Sequence, residues 1–96
     1  MIKINFLEHD GGGTIQKQEL IRIHAELARM KNNYEKRGYR KEFEAYYNLR
    51  ISPVHVHKSK DDHEKAIFVL SATLSMIVAE ENSIYQVLKI REESKN

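Results

Sequence analysis

Ninety-six residues make one domain by length, and a chain this short buries so modest a share of its surface that self-association is expected. The absence of cysteine excludes disulfides, thiolate zinc sites and thiol nucleophiles, so any transition metal must be held by His, Asp, Glu or water, and a reducing compartment fits. A net charge of +2, with acids and bases interspersed, argues against a nucleic-acid partner held by bulk electrostatics and leaves room only for a local basic patch.

Residues 1–13 differ from the rest of the chain. Ile2, Ile4 and Phe6 alternate with polar residues, as in a short strand or extended arm, and Gly11, Gly12 and Gly13 then break the chain. A loosely held leader is expected there, with His9 in it, and residues 14–96 form the single helical domain.

A first helix is expected from Thr14, as N-cap, to about Arg37. Leu20, Ile23, Leu27, Met30 and Tyr34 repeat at steps of three and four and make one apolar stripe, widened by Ile21, His24 and Ala28. Arg22, Glu26, Arg29, Lys31 and Lys36 fall on the polar side. Gly38 stops the helix. Residues 40–49 read as a short helix with Phe43, Tyr46, Tyr47 and Leu49 facing inward, ended by Pro53. The Val54-His55-Val56-His57 run reads as extended, which sends the two valines one way and the two histidines the other.

Ser59 and Asp62 have the spacing of a capping box, and Asp61, Asp62 and Glu64 suit the dipole of a helix first turn. The last helix should run from about Lys60 to about Arg91, roughly 45 Å by the helical rise. His63, Ile67, Leu70, Leu74, Ile77, Glu81, Ile84 and Leu88 follow heptad steps, and Ala66, Val69, Thr73 and Met76 make a second stripe. The shorter first helix covers only part of that face. The surplus calls for a second copy of the chain. Glu81 interrupts the stripe and either sets register against a basic residue or marks where the long helices splay. The nearly apolar run Ala66–Ala79 is shorter than the ~20 residues of a membrane span and carries three hydroxyls, so no membrane partner is expected. No secretion signal opens the sequence, which places the protein in the cytoplasm. The expected architecture is all-α: a long helical hairpin with a short intervening helix and an extended HxH segment, dimerising into a helical bundle.

Three of the five histidines, His55, His57 and His63, fall within nine residues at the start of the last helix. Two imidazoles on an extended HxH point the same way, His63 closes the set, and His24 is a fourth ligand if the middle of the first helix packs there. Nitrogen ligands without sulfur suit zinc first, then iron, nickel or copper. A helix N-terminus also attracts anions, and Lys58, Ser59 and Lys60 there form an alternative phosphate, carboxylate or nucleic-acid site. The third possibility is a structural dimer whose histidines satisfy the fold without metal. No nucleophile elbow, phosphate loop or dinucleotide fingerprint marks the chain as an enzyme.

The run Lys17–His24, then Ile51–Lys60, then His63 with Ala66–Leu70, resembles a family of small archaeal proteins catalogued only as an uncharacterised protein family. Its pattern carries a histidine in the first helix and an HxH-x-SK-x-x-H string, which fall here on His24, His55, His57 and His63. The resemblance implies a helical, archaeal, cytoplasmic protein, adds His24 to the candidate metal set, and brings no activity with it. It covers about Lys17 to Ala79 and leaves residues 1–13 outside.

Overall fold

The computed structural model describes residues 15–94. The expectations placed on residues 1–13 and on Thr14 as a cap lie outside that span. Four segments follow in order: helix α1 (Lys17–Lys36), a single 3-10 turn (Arg40–Phe43), helix α2 (Glu44–Leu49) and helix α3 (Lys60–Ser94). No strand occurs among the described residues. The protein is all-α, with α1 packed along the first part of α3 and running in the same direction, so that His24 lies against His63 and Arg37 against Glu81, and with the 3-10 turn and α2 closing one side.

Each helix end has a local cause. Gly38 adopts φ +102°, a left-handed conformation that glycine tolerates without Cβ strain. Its N–H donates to the Glu35 carbonyl and the Tyr39 N–H to the Tyr34 carbonyl, which satisfies the last carbonyls of α1. At the start of α3 the Ser59 hydroxyl accepts from the Asp62 N–H at 3.0 Å and the Asp62 carboxylate accepts from the Ser59 N–H at 3.2 Å, a reciprocal capping box. The backbone and hydroxyl bonds from Ser59 hold the Asp62 carboxyl below its usual range.

The core comprises Phe43, Tyr46, Ile51, Ala66, Leu70, Leu74 and Ile77, with Leu27, Tyr34, Tyr39, Leu49 and Val69 packed against it. It lies where α1, α2 and the first five turns of α3 meet. Glu81 marks its far edge. The Arg37 guanidinium pairs with the Glu81 carboxylate, and the Tyr39 hydroxyl donates to it at 2.9 Å. Of the two roles open to Glu81, it takes the register-setting one. Beyond it, α3 continues past the described part of the core, and every residue from 82 to 93 is exposed.

Three local expectations are corrected. Val54–His57 is not extended but a run of tight turns. The His55 N–H donates to the Ser52 carbonyl, Val56 N–H to Val54, and Lys58 N–H to His55. Pro53 occupies the second position of the first turn, where its fixed φ belongs. Val54 and Val56 point to solvent as a result. Lys31 is buried, not on the polar side: its Nζ donates to Tyr47 Oη and to Asn32 Oδ1, both at 2.8 Å, and it pairs with Glu35. Met30, expected on the buried stripe of the first helix, is about half exposed.

By length and composition α3 contains a window apolar enough to cross a membrane. One face of that window, Leu70, Leu74 and Ile77, is used in the core against α1.

Candidate functional site

His63 lies one turn inside α3, on the face turned to α1, and His24 lies at the middle of α1 on the face turned to α3. Both side chains are wholly buried. Their Nδ1 atoms face each other at 2.9 Å. The far nitrogen of His63, Nε2, lies 3.0 Å from the His55 carbonyl oxygen, and the far nitrogen of His24 lies 2.8 Å from Tyr46 Oη. The result is a four-member chain, from the 52–58 turns through α3 and α1 to α2.

The proton positions follow from the one end that has no choice. A carbonyl only accepts, so His63 Nε2 carries a hydrogen. With both rings neutral, His63 Nδ1 is then an acceptor and takes the hydrogen of His24 Nδ1. His24 Nε2 is left as an acceptor for the Tyr46 hydroxyl. The assignment rests on this network and leaves none of the buried nitrogens without a partner.

Burial drives the electrostatics in the same direction. The His24 pKa is pushed down to about 4, first by burial and then by the nearby His63 and His55. The Tyr46 hydroxyl is pushed up to about 12, by burial and then by Tyr47. Both shifts favour the neutral, hydrogen-bonded forms. The His24 and Tyr46 rings meet edge-on, with centroids 5.7 Å apart.

The four candidate metal ligands therefore divide into two pairs. His24 and His63 converge. His55 and His57 sit on the turns with ring centroids 5.8 Å apart, and the His55 Nδ1 accepts the Ser52 N–H at 3.0 Å. Among the described residues, no group of three or more His, Asp or Glu is arranged to hold a metal ion. At the alternative anion site, the capping box already uses the Ser59 N–H and hydroxyl, and the negative Asp62 carboxylate occupies the mouth of the helix. Tyr46 is the member that sequence reasoning missed. It was placed in the core as a ring, and a buried tyrosine hydroxyl needs a partner, which was the available signal.

The profile of uncharacterised protein family UPF0058 matches residues 15–95, and the chain belongs to that family. It is 43% identical over 65 residues to a UPF0058 protein of Methanothermobacter thermautotrophicus, a match spanning 66% of this chain and 63% of that one. A UPF0058 protein of Archaeoglobus fulgidus is 40% identical over 67 residues, 69% of this chain and 72% of its own. Among solved structures, Vng1086c from Halobacterium salinarium is similar with a TM-score of 0.65 and 30% identity, over 75% of this chain and 99% of that one.

Proposed function

We propose that this UPF0058 member is a cytoplasmic, self-associating helical protein, in which the histidine–tyrosine chain pins α1 and α2 to α3 and α3 supplies the surface that pairs with a second copy. The observation that carries the reading is a stripe on α3 that the other described residues leave exposed. It consists of Phe68, Ala72, Met76, Ala79, Ser83 and Val87. Their steps run four, four, three and repeat, an eleven-residue period that keeps a stripe straight along one side of a helix. Leu70, Leu74 and Ile77 face the other way, into the core.

The charges of α3 favour an antiparallel copy. Two α3 helices crossing at Met76 set Lys60 beside Glu92 and place Lys89 between Asp62 and Glu64 of the other copy. Phe68 then meets the small Ser83 beside Val87, and Ala72 and Ala79 let the helices approach closely.

Sedimentation equilibrium tests this. The expected mass is twice 11.3 kDa, falling to a single chain in Met76→Lys with helicity retained. A monomer at about 100 μM, far above the dissociation constant of a specific dimer, removes the reading.

The facing Nδ1 atoms favour a second reading, a transition metal with zinc first. Replacing the shared proton by a metal leaves His63 donating to the His55 carbonyl and His24 donating to Tyr46, the outer hydrogen bonds that orient ligating imidazoles. At Zn–N lengths of about 2.0–2.1 Å the two rings need only a slight separation. His55 and His57, or water, would complete the set after the turns rearrange. Protein purified without added metal decides it by elemental analysis: less than about a tenth of an equivalent, with no thermal shift on adding zinc, ends this reading.

A further inference from the structure

A cleft of about 490 Å³ opens on the side of the molecule away from the α3 stripe, between the middle of α1, the end of α2 and the turns that follow. Its size suits a small-molecule ligand. Tyr46, Tyr47, Ile51 and Pro53 give it flat and apolar walls, and Arg50, Asn32 and His55 bring polar groups to it.

Those polar groups are donors. Among the described residues no acceptor pairs with the Arg50 guanidinium, although it carries five N–H groups. The His55 ring accepts the Ser52 N–H at Nδ1, so its remaining nitrogen, Nε2, carries the hydrogen. The Asn32 carbonyl oxygen is taken by Lys31, which leaves its amide N–H₂ as the available end. Lys31 adds positive charge but no spare donor, because Asn32, Tyr47 and Glu35 already surround its ammonium.

The backbone at Arg50 is the second observation. Arg50 is the one non-glycine residue with positive φ among those described, at φ 60° and ψ 38°, and it ends α2 in the position that glycine usually fills. A side chain there strains the backbone, and among the described residues the arginine makes no hydrogen bond, ion pair or ring contact to offset it. The residue costs stability where it stands and faces a cleft of unused donors.

We propose that this cleft binds a small oxyanion, a carboxylate or phosphate monoester, carried on a flat unsaturated body. The Arg50 guanidinium grips the anion, with His55 Nε2–H and the Asn32 amide as further donors, and the body lies against the tyrosine and proline walls. A planar guanidinium matches both anions by paired N–H···O bonds.

Phenyl phosphate, benzoate and uncharged benzyl alcohol are the probes, titrated into the full chain at low salt and followed by amide and side-chain NMR and by calorimetry. The proposal expects saturable shifts at Arg50, Asn32 and His55 with at least one of the two anions and none with benzyl alcohol; the stronger of the two identifies the anion. Arg50→Gly should weaken that binding by about tenfold or more. Its melting temperature should equal or exceed that of the parent, since glycine relieves the backbone. That combination separates a binding arginine from a structural one. No saturable shift with either anion up to about 10 mM, shifts centred on Lys58–Lys60, or unchanged affinity in Arg50→Gly would each overturn it.

Discussion

The two parts of α3 are continuous in backbone and opposite in circumstance. From Lys60 to Glu81 the helix is capped by Ser59, packed on α1, tied to it through His63 and His24, and closed by Arg37 and Tyr39 on Glu81. From Asn82 to Glu93 every described residue is exposed, though Ile84, Tyr85, Val87 and Leu88 are as apolar as the core. An isolated helical segment of about 12 residues is marginal in water, and apolar side chains do not improve it. The difference teaches that the first part draws its stability from the described fold, whereas the second keeps its apolar side chains exposed and is the part on which the proposed pairing with a second copy would act.

The largest expected effect strikes the packed part. His63→Ala strips His24 Nδ1 and the His55 carbonyl of their partners and opens a cavity, and should cost about 3–5 kcal/mol in chemical denaturation. That is a large fraction of the ~5–15 kcal/mol that holds a domain of this kind. A loss under 1 kcal/mol would mean that the chain of rings holds nothing.

Acid should act on the same place. His24 binds a proton near pH 6.5 when unfolded and only near pH 4 when folded. Below 6.5 the unfolded state therefore takes up more protons, so stability falls as the pH drops from about 6.5 towards 4 and is constant with respect to this group above that window. Denaturation at half-unit pH steps, in chelator, should show the slope, and His24→Leu should flatten it.

Tyr46→Phe is smaller, about 1–2 kcal/mol, for one buried nitrogen left unpaired. Glu81→Gln at the boundary should cost about 1 kcal/mol or less, because Arg37 is half exposed. At the bottom of the scale, Val87→Lys should change the stability of a dilute monomer by no more than about 0.5 kcal/mol. Measured at high concentration it should lower the melting temperature. If Val87→Lys matches His63→Ala in the dilute monomer, the contrast between the two parts of α3 is wrong.

Sequence periodicity carried most of the helical frame. The steps of three and four in α1 and α3, Gly38 as a stop and Ser59 with Asp62 as a box are local signals, and local signals survive folding. Glu81 was legible as an interruption because a lone charge in an apolar stripe demands a reason. Lys31 was not, although it stands seven residues after His24 on the same face. Its burial depends on Tyr47 and Glu35 reaching its ammonium, and those contacts are set by how α2 docks. The Val-His-Val-His run misled through its period of two. Ser52-Pro53 was the better guide, since proline at the second place of a turn outweighs alternation over four residues. His24 and His63 were expected to meet only if the helices packed in one register. The structure has that register, and its price to sequence reasoning was the tyrosine at the end of the line.

The enclosed link between the two rings has a use beyond holding them. A hydrogen shared by nitrogens that water does not reach trades with solvent only when α1 and α3 part. It should therefore resonate far downfield as a sharp, long-lived imidazole signal in deuterated solvent. The time it takes to fade is a clock for the opening of the whole fold, read from one atom and needing no label.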